Sequence, residues 1–123
     1  MPQEYEELQL SCRVLPFCER SPAEPFTGFV LNLNVSTMAH RDFGDQHFCA
    51  VFTFQHCVGG ELGLYEPGIV LESRMGDLVI FPSSKVTHFN LHFEGIRGSV
   101  VLHSDKAMDQ WLESYNCWEG VVY

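Results

Sequence analysis

The chain has 123 residues, enough for one domain with a single buried core and little more. Its 46% hydrophobic and 19% charged content is that of a folded globular protein rather than a disordered tract. Sixteen Asp and Glu against seven Lys and Arg give a formal charge of −9, which argues against a chain evolved to coat a nucleic-acid backbone with a basic face. Cys12, Cys18, Cys49, Cys57 and Cys117 are odd in number and lack CxxC spacing. That pattern disfavours a zinc knuckle or a complete disulfide framework and fits reduced thiols in an intracellular protein, cytoplasmic or nuclear. Neither a signal peptide nor an apolar run of bilayer length is legible, so no membrane role is expected.

Residues 1–25 hold Pro2, Pro16, Pro22 and Pro25 together with Glu4, Glu6, Glu7, Glu19 and Glu24. They read as an irregular acidic N-terminal arm with at most a short strand near Leu8–Leu15. From Phe26 the texture changes, and residues 26–123 read as one β domain. Phe29, Leu31, Leu33 and Val35 alternate with Val30, Asn32, Asn34 and Ser36, a period of two. His47–Cys57 is a second strand, Gly59-Gly60 a turn, and Leu62–Tyr65 and Ile69–Glu72 flank a turn at Glu66-Pro67-Gly68. Leu78–Phe81 is continuously apolar, the pattern of a strand buried on both faces. Val86–Phe93 and Ile96–His103 read as a final strand pair joined at Glu94-Gly95. Lys106–Trp118 alone reads helical, with Met108, Trp111, Leu112 and Tyr115 at helical spacing. The sum predicts a mainly β fold, a double-stranded β-helix of the jelly-roll or cupin-like kind with a C-terminal helix.

The chemistry-bearing residues are His40-Arg41-Asp42, a separate His88, and Arg97-Gly98-Ser99. Two imidazoles and a carboxylate form the 2-His-1-carboxylate set that holds non-haem Fe(II) on one face and leaves the other open. Arg97 and Ser99 share one face of their strand and suit a grip on the far end of a dicarboxylate such as 2-oxoglutarate. Each residue has a plainer reading: a strand histidine is more often core or surface, and HxD alone arises by chance. The ordered combination is much harder to produce accidentally. Among the other histidines His92 is the candidate for supporting the site, because it falls on the His88 face. Asn34 is the candidate for the near carboxylate of the cosubstrate, ahead of Asn32. The overlapping strings His40-Arg41-Asp42 and Asp42-Phe43-Gly44 imitate kinase motifs, but His47 stands where the kinase Asn should be and no GxGxxG is present.

From His40 to about Lys106 the chain resembles the 2-oxoglutarate/Fe(II) dioxygenase superfamily, and within it the short fungal oxygenase domains of the ten-eleven-translocation/J-binding-protein type. The matching text is His40-Arg41-Asp42, Gly59-Gly60-Glu61-Leu62, Gly76-Asp77-Leu78-Val79-Ile80-Phe81, Ser84-Lys85-Val86-Thr87-His88-Phe89-Asn90 and Arg97-Gly98-Ser99-Val100. The resemblance implies iron on His40, Asp42 and His88, 2-oxoglutarate on Arg97 and Ser99, and O2 as oxidant. Its products would be an oxidised substrate, succinate and CO2, the cofactor carrying the hard chemistry. It also implies a modified pyrimidine in nucleic acid as one substrate class, against which the acidic charge speaks.

The departure from that family is the short region before the HxD, where catalytic members have a helical layer on the larger sheet. An apolar outer face would then require self-association or a partner domain. Three functions follow as alternatives. One is a minimal Fe(II)/2-oxoglutarate dioxygenase acting on an unidentified substrate. Another is a catalytically impaired jelly-roll module that binds metal or a partner without turnover. The third is a cupin-like protein holding another divalent metal, for which Arg97 and Ser99 would have no use.

Overall fold

The computed structural model describes residues 2–13 and 22–107. Within them a helix, α1 (Pro2–Arg13), precedes strands β1 (Gly28–Leu33), β2 (Cys49–Gly59), β3 (Leu62–Leu64), β4 (Ile69–Leu71), β5 (Leu78–Phe81), β6 (His88–Asn90) and β7 (Phe93–His103). The strands make two antiparallel sheets, one in the order β1-β7-β2-β5 and the other β4-β3-β6. This is the mainly β, jelly-roll-like architecture that the strand pattern predicts. The predicted helix over Lys106–Trp118 lies almost wholly outside the described residues. No helix among the described residues is long and apolar enough to cross a membrane.

The N-terminal segment departs from its expectation. Instead of an irregular arm, Pro2–Arg13 is helical, with Pro2 at the position where a missing N–H costs nothing. Glu4 in the first turn and Arg13 in the last complement the helix dipole. The buried stripe is only Leu8, Ser11 and Cys12, too narrow and too polar to register as helical periodicity. Leu8 is fully buried against Ala23, Phe26, Phe48 and Ala50, with Leu102 beside them. Burying that side chain is worth about 1.5–3 kcal/mol.

The final strands also pair differently. β6 and β7 are not a hairpin: β6 pairs with β3, whereas β7 lies between β1 and β2. Gly95, read as their turn, sits inside β7 opposite Cys57, where a Cβ would lie 2.5 Å from the His56 carbonyl oxygen. The glycine marks a close backbone approach rather than a chain reversal. Gly59 and Gly60 do turn the chain, with φ of 87° and 78°.

β5 is not buried on both faces. Val79 and Phe81 point between the sheets, but Leu78 is 56% exposed and Ile80 45% exposed. The register aligns Leu31, Val100, Phe52 and Leu78 in one row across all four strands on the outer face. α1 covers only the Ala50 and Leu102 end of that face among the described residues. Between the sheets Cys49, Leu62, Leu64 and Phe81 form the second core, with Val51, Val79 and Val101 packed on it.

Candidate metal and cosubstrate site

The four-stranded sheet supplies one wall of a cavity of about 370 Å³ that opens between the two sheets. Its register builds that wall in rows. Asn32, Ser99 and Thr53 make a polar row across β1, β7 and β2, and Val30, Val101, Val51 and Val79 make the apolar row beside it. Arg97 enters one step further along β7, opposite Gln55. His88 and Asn90 come from β6 in the other sheet, and His40 and Asp42 from the segment that runs beside it.

His40 and His88 form an isolated antiparallel bridge. The His40 N–H donates to the His88 carbonyl at 3.0 Å, and the His88 N–H donates to the His40 carbonyl at 2.9 Å. Directly opposed residues in such a pair put their side chains on the same face, and the imidazole centroids are 4.3 Å apart. Asp42 follows two residues on, its N–H donating to the Ser83 carbonyl at 3.0 Å. One ligand atom from each of His40, Asp42 and His88 falls within 4.8 Å of the others.

The tautomers follow from the neighbours. His40 Nδ1 is 2.7 Å from the Met38 carbonyl and His88 Nδ1 is 2.9 Å from the Val86 carbonyl. A carbonyl only accepts, so each Nδ1 is the donor in that contact, and Nε2 is the ring nitrogen left to face the centre of the group. Those Nε2 atoms face Asp42, at 3.1 Å for His88 and 3.7 Å for His40. Two ring nitrogens and a carboxylate turned on one another are a donor set that could hold a cation, and backbone carbonyls holding the far ring nitrogens are the usual support of such a set. His88 is buried, whereas the His40 and Asp42 side chains are 39% and 42% exposed.

Arg97 is 5% exposed, and burial pushes its guanidinium below its ordinary value. No carboxylate among the described residues pairs with it. With the Asn90 amide assigned so that its oxygen faces the guanidinium, that oxygen accepts from Nη1 at 2.9 Å and Nη2 at 3.1 Å, while Nε is buried without a partner among the described residues. An orphaned donor on a buried cation beside a row of hydroxyls and amides fits the carboxylate of a ligand. The predicted pair Arg97 and Ser99 is therefore brought to one cavity with His40, Asp42 and His88.

Two predicted positions lie outside the cavity. Asn34 does not line the cavity; its side chain turns onto the Arg97 backbone, and Asn32 is the amide that faces inward. Asn34 adopts φ 51° at the end of β1, which breaks the alternation that would put both amides on one side. His92 is exposed and outside the cavity, because β6 ends at Asn90 and the period of two ends with it.

Other supporting groups have no motif of their own. Glu66 accepts from the Thr87 hydroxyl at 2.6 Å, the Thr87 N–H at 2.7 Å and Arg41 Nη2 at 2.6 Å, and the Arg41 Nε–H donates to the Thr87 hydroxyl at 3.0 Å. These bonds hold the Glu66 carboxyl down to about 2, Thr87 contributing most. They tie the residue between His40 and Asp42 to the residue before His88. The only signal in the sequence is adjacency to the candidate metal-ligand positions. Deeper in, Asp45 accepts from the Ser83 hydroxyl at 2.5 Å, and burial raises its carboxyl above the ordinary value. Burial pushes the Cys49 thiol up to about 12.

Among solved structures the chain is similar to NgTET1 in complex with 5mC DNA, with a TM-score of 0.61 and 17% identity. The alignment covers 75% of this chain and 42% of that one, so the chain spans less than half of its structural neighbour. No family's sequence pattern matches the chain, and no curated relative matches it by sequence. At this identity the likeness is one of fold.

Proposed function

We propose that the chain is an Fe(II)- and 2-oxoglutarate-dependent dioxygenase. The observation that carries this reading is the pairing of two unlike sites in one cavity. A facing His40, Asp42 and His88 set lies at one position, and a buried, carboxylate-free Arg97 lies at another. A metal-only cupin has no use for the second. His40, Asp42 and His88 would hold the iron, and Arg97 with Ser99 would hold the distal carboxylate of 2-oxoglutarate. Thr53 and Asn32 complete the polar row beside Ser99.

When bound, the iron and 2-oxoglutarate supply the oxidation: O2 and the cosubstrate are consumed, a substrate C–H bond becomes C–OH, and succinate and CO2 leave. The chain's own part is positional. The Met38 and Val86 carbonyls fix both ring planes, Arg97 and Ser99 would hold the cosubstrate's far carboxylate, and the valine row would give that cavity an apolar wall. The fold likeness to NgTET1 makes a 5mC base the first substrate class to test. The −9 charge predicts weak affinity of this chain alone for a DNA duplex.

The exposure of His40 and Asp42 favours one second reading, metal binding without coupled turnover. An anaerobic titration with Fe(II) and 2-oxoglutarate, followed by admission of O2, separates the two. A visible metal-to-ligand charge-transfer band that needs both components, and then bleaches with release of succinate, supports the dioxygenase. A band that does not lead to succinate supports the binding module. Absence of any band from folded protein overturns the cosubstrate assignment.

A further inference from the structure

We propose that Asn90 is a positioning residue whose neutral amide sets the cavity's selectivity for a doubly charged over a singly charged 2-oxoacid; this rests on the cosubstrate reading of Arg97. A buried arginine ordinarily meets a carboxylate, because an uncompensated charge in low dielectric is costly. Arg97 meets an amide instead. In the amide orientation that satisfies both groups, the Asn90 oxygen takes one hydrogen from each of Nη1 and Nη2, which fixes the plane of the guanidinium fork without neutralising it.

The rest of the side chain is held as firmly. A Cβ on Gly60 would lie 2.9 Å from Arg97 Cδ and 3.1 Å from Nε, so the glycine at φ 78° is what lets the stem lie there. The Asn90 oxygen takes one of the two hydrogens of each Nη, and Nε is a buried donor that has no partner among the described residues. A full positive charge thus stands in the cavity, oriented and unspent.

Asn90 also lies two residues from His88 on the same face of β6. One three-residue strand therefore carries a candidate metal ligand at one end and the group that aims the cosubstrate's anchor at the other. The distance between the two ends of a bound 2-oxoacid is set along a single strand, while the anchor itself comes from the opposite sheet.

The roles of charge and scaffold separate in Asn90→Asp, which is isosteric. A purely structural Asn90 predicts tolerance, since the new carboxylate would bind Arg97 more tightly than the amide does. The charge role predicts the reverse, because that carboxylate occupies and neutralises the cation.

The experiment is calorimetric titration of Mn(II)-loaded protein with 2-oxoglutarate and, separately, with pyruvate, which lacks the second carboxylate. In Asn90→Asp, 2-oxoglutarate affinity is expected to fall on the order of tenfold or more, with pyruvate and Mn(II) affinity unchanged. Asn90→Leu, which removes the acceptor but adds no charge, is expected to lose less 2-oxoglutarate affinity than Asn90→Asp. Parental 2-oxoglutarate affinity in Asn90→Asp overturns the proposal, as does equal loss of both acids, which would place the effect at the metal end. If the parent protein itself prefers neither acid, the cosubstrate reading of Arg97 fails and takes this inference with it.

Discussion

Asn34 clasps the backbone of Arg97 from both sides: its N–H donates to the Arg97 carbonyl at 2.7 Å, and its Oδ1 accepts the Arg97 N–H at 2.9 Å. The amide that looks like a cosubstrate ligand in the strand alternation is thus a brace for the residue that would bind the cosubstrate. Its φ of 51° is one that Asn tolerates better than most residues. Asn34→Ala should cost about 1–2 kcal/mol of stability in denaturant unfolding, from the lost bond and the unfavourable φ together. Asn34→Asp, which keeps the acceptor, should lose less.

Removing a candidate metal ligand should act on metal and spare the fold. His88→Ala is expected to weaken Mn(II) or Fe(II) binding on the order of 100-fold or more by calorimetry. Far-UV circular dichroism should be retained, because β6 is held to β3 by backbone pairing at Leu62 and Leu64. Unchanged metal affinity would remove His88 from the site.

Arg97→Ala should leave Mn(II) binding intact and raise the 2-oxoglutarate dissociation constant, the lost contact being worth about 2–5 kcal/mol. Arg97→Lys should fall between, since it restores the charge but not the planar fork that Asn90 grips. Titration with the cosubstrate after saturation with metal measures both.

The Arg41, Glu66 and Thr87 cluster gives a pH signature. Glu66 has its carboxyl held down to about 2 from 4.5, so its stabilising contribution is complete above about 4.5 and is lost as pH falls through about 2. The group is exposed and solvent screening keeps the effect small. Thermal midpoints of Glu66→Gln against the parent should differ most near neutral pH, with the gap closing below about 4.5 and vanishing near 2. A gap independent of pH would mean that the bonds matter but the charge does not.

The outer face of the four-stranded sheet makes a prediction in the opposite sense. Leu31 is 54% exposed and Leu78 56% exposed, so little is lost by making either polar. Leu78→Lys should change the denaturant midpoint by no more than about 0.5 kcal/mol in stability. It should also lower the tendency to self-associate, measurable by sedimentation. A cost above about 2 kcal/mol would show that the leucine is covered in the folded protein.

Much of this molecule is legible before any coordinates. Alternation at Phe29–Val35 and in the segment from His47 places β1 and β2 to within two residues, because a half-buried strand imposes a period of two on its sequence. His40, Asp42, His88, Arg97 and Ser99 stand out because their chemistry and order are improbable together. What alternation cannot carry is the identity of the strand next door. It tells which side of its own strand a residue takes, not which sheet that strand joins, and pairing partners far apart in sequence are chosen by packing.

Hence only the tertiary structure puts β6 and β7 in opposite sheets, so that His88 and Arg97 meet across a cavity rather than along a hairpin. Strand ends are the other place where the rule lapses. The left-handed turn at Asn34 and the end of β6 after Asn90 exchange Asn34 for Asn32 and His92 for Asn90. Residue type and order determined the chemistry available to this chain. The register of strands distant in sequence decided which of those residues share a cavity, because backbone pairing and core packing, not local pattern, select the partners.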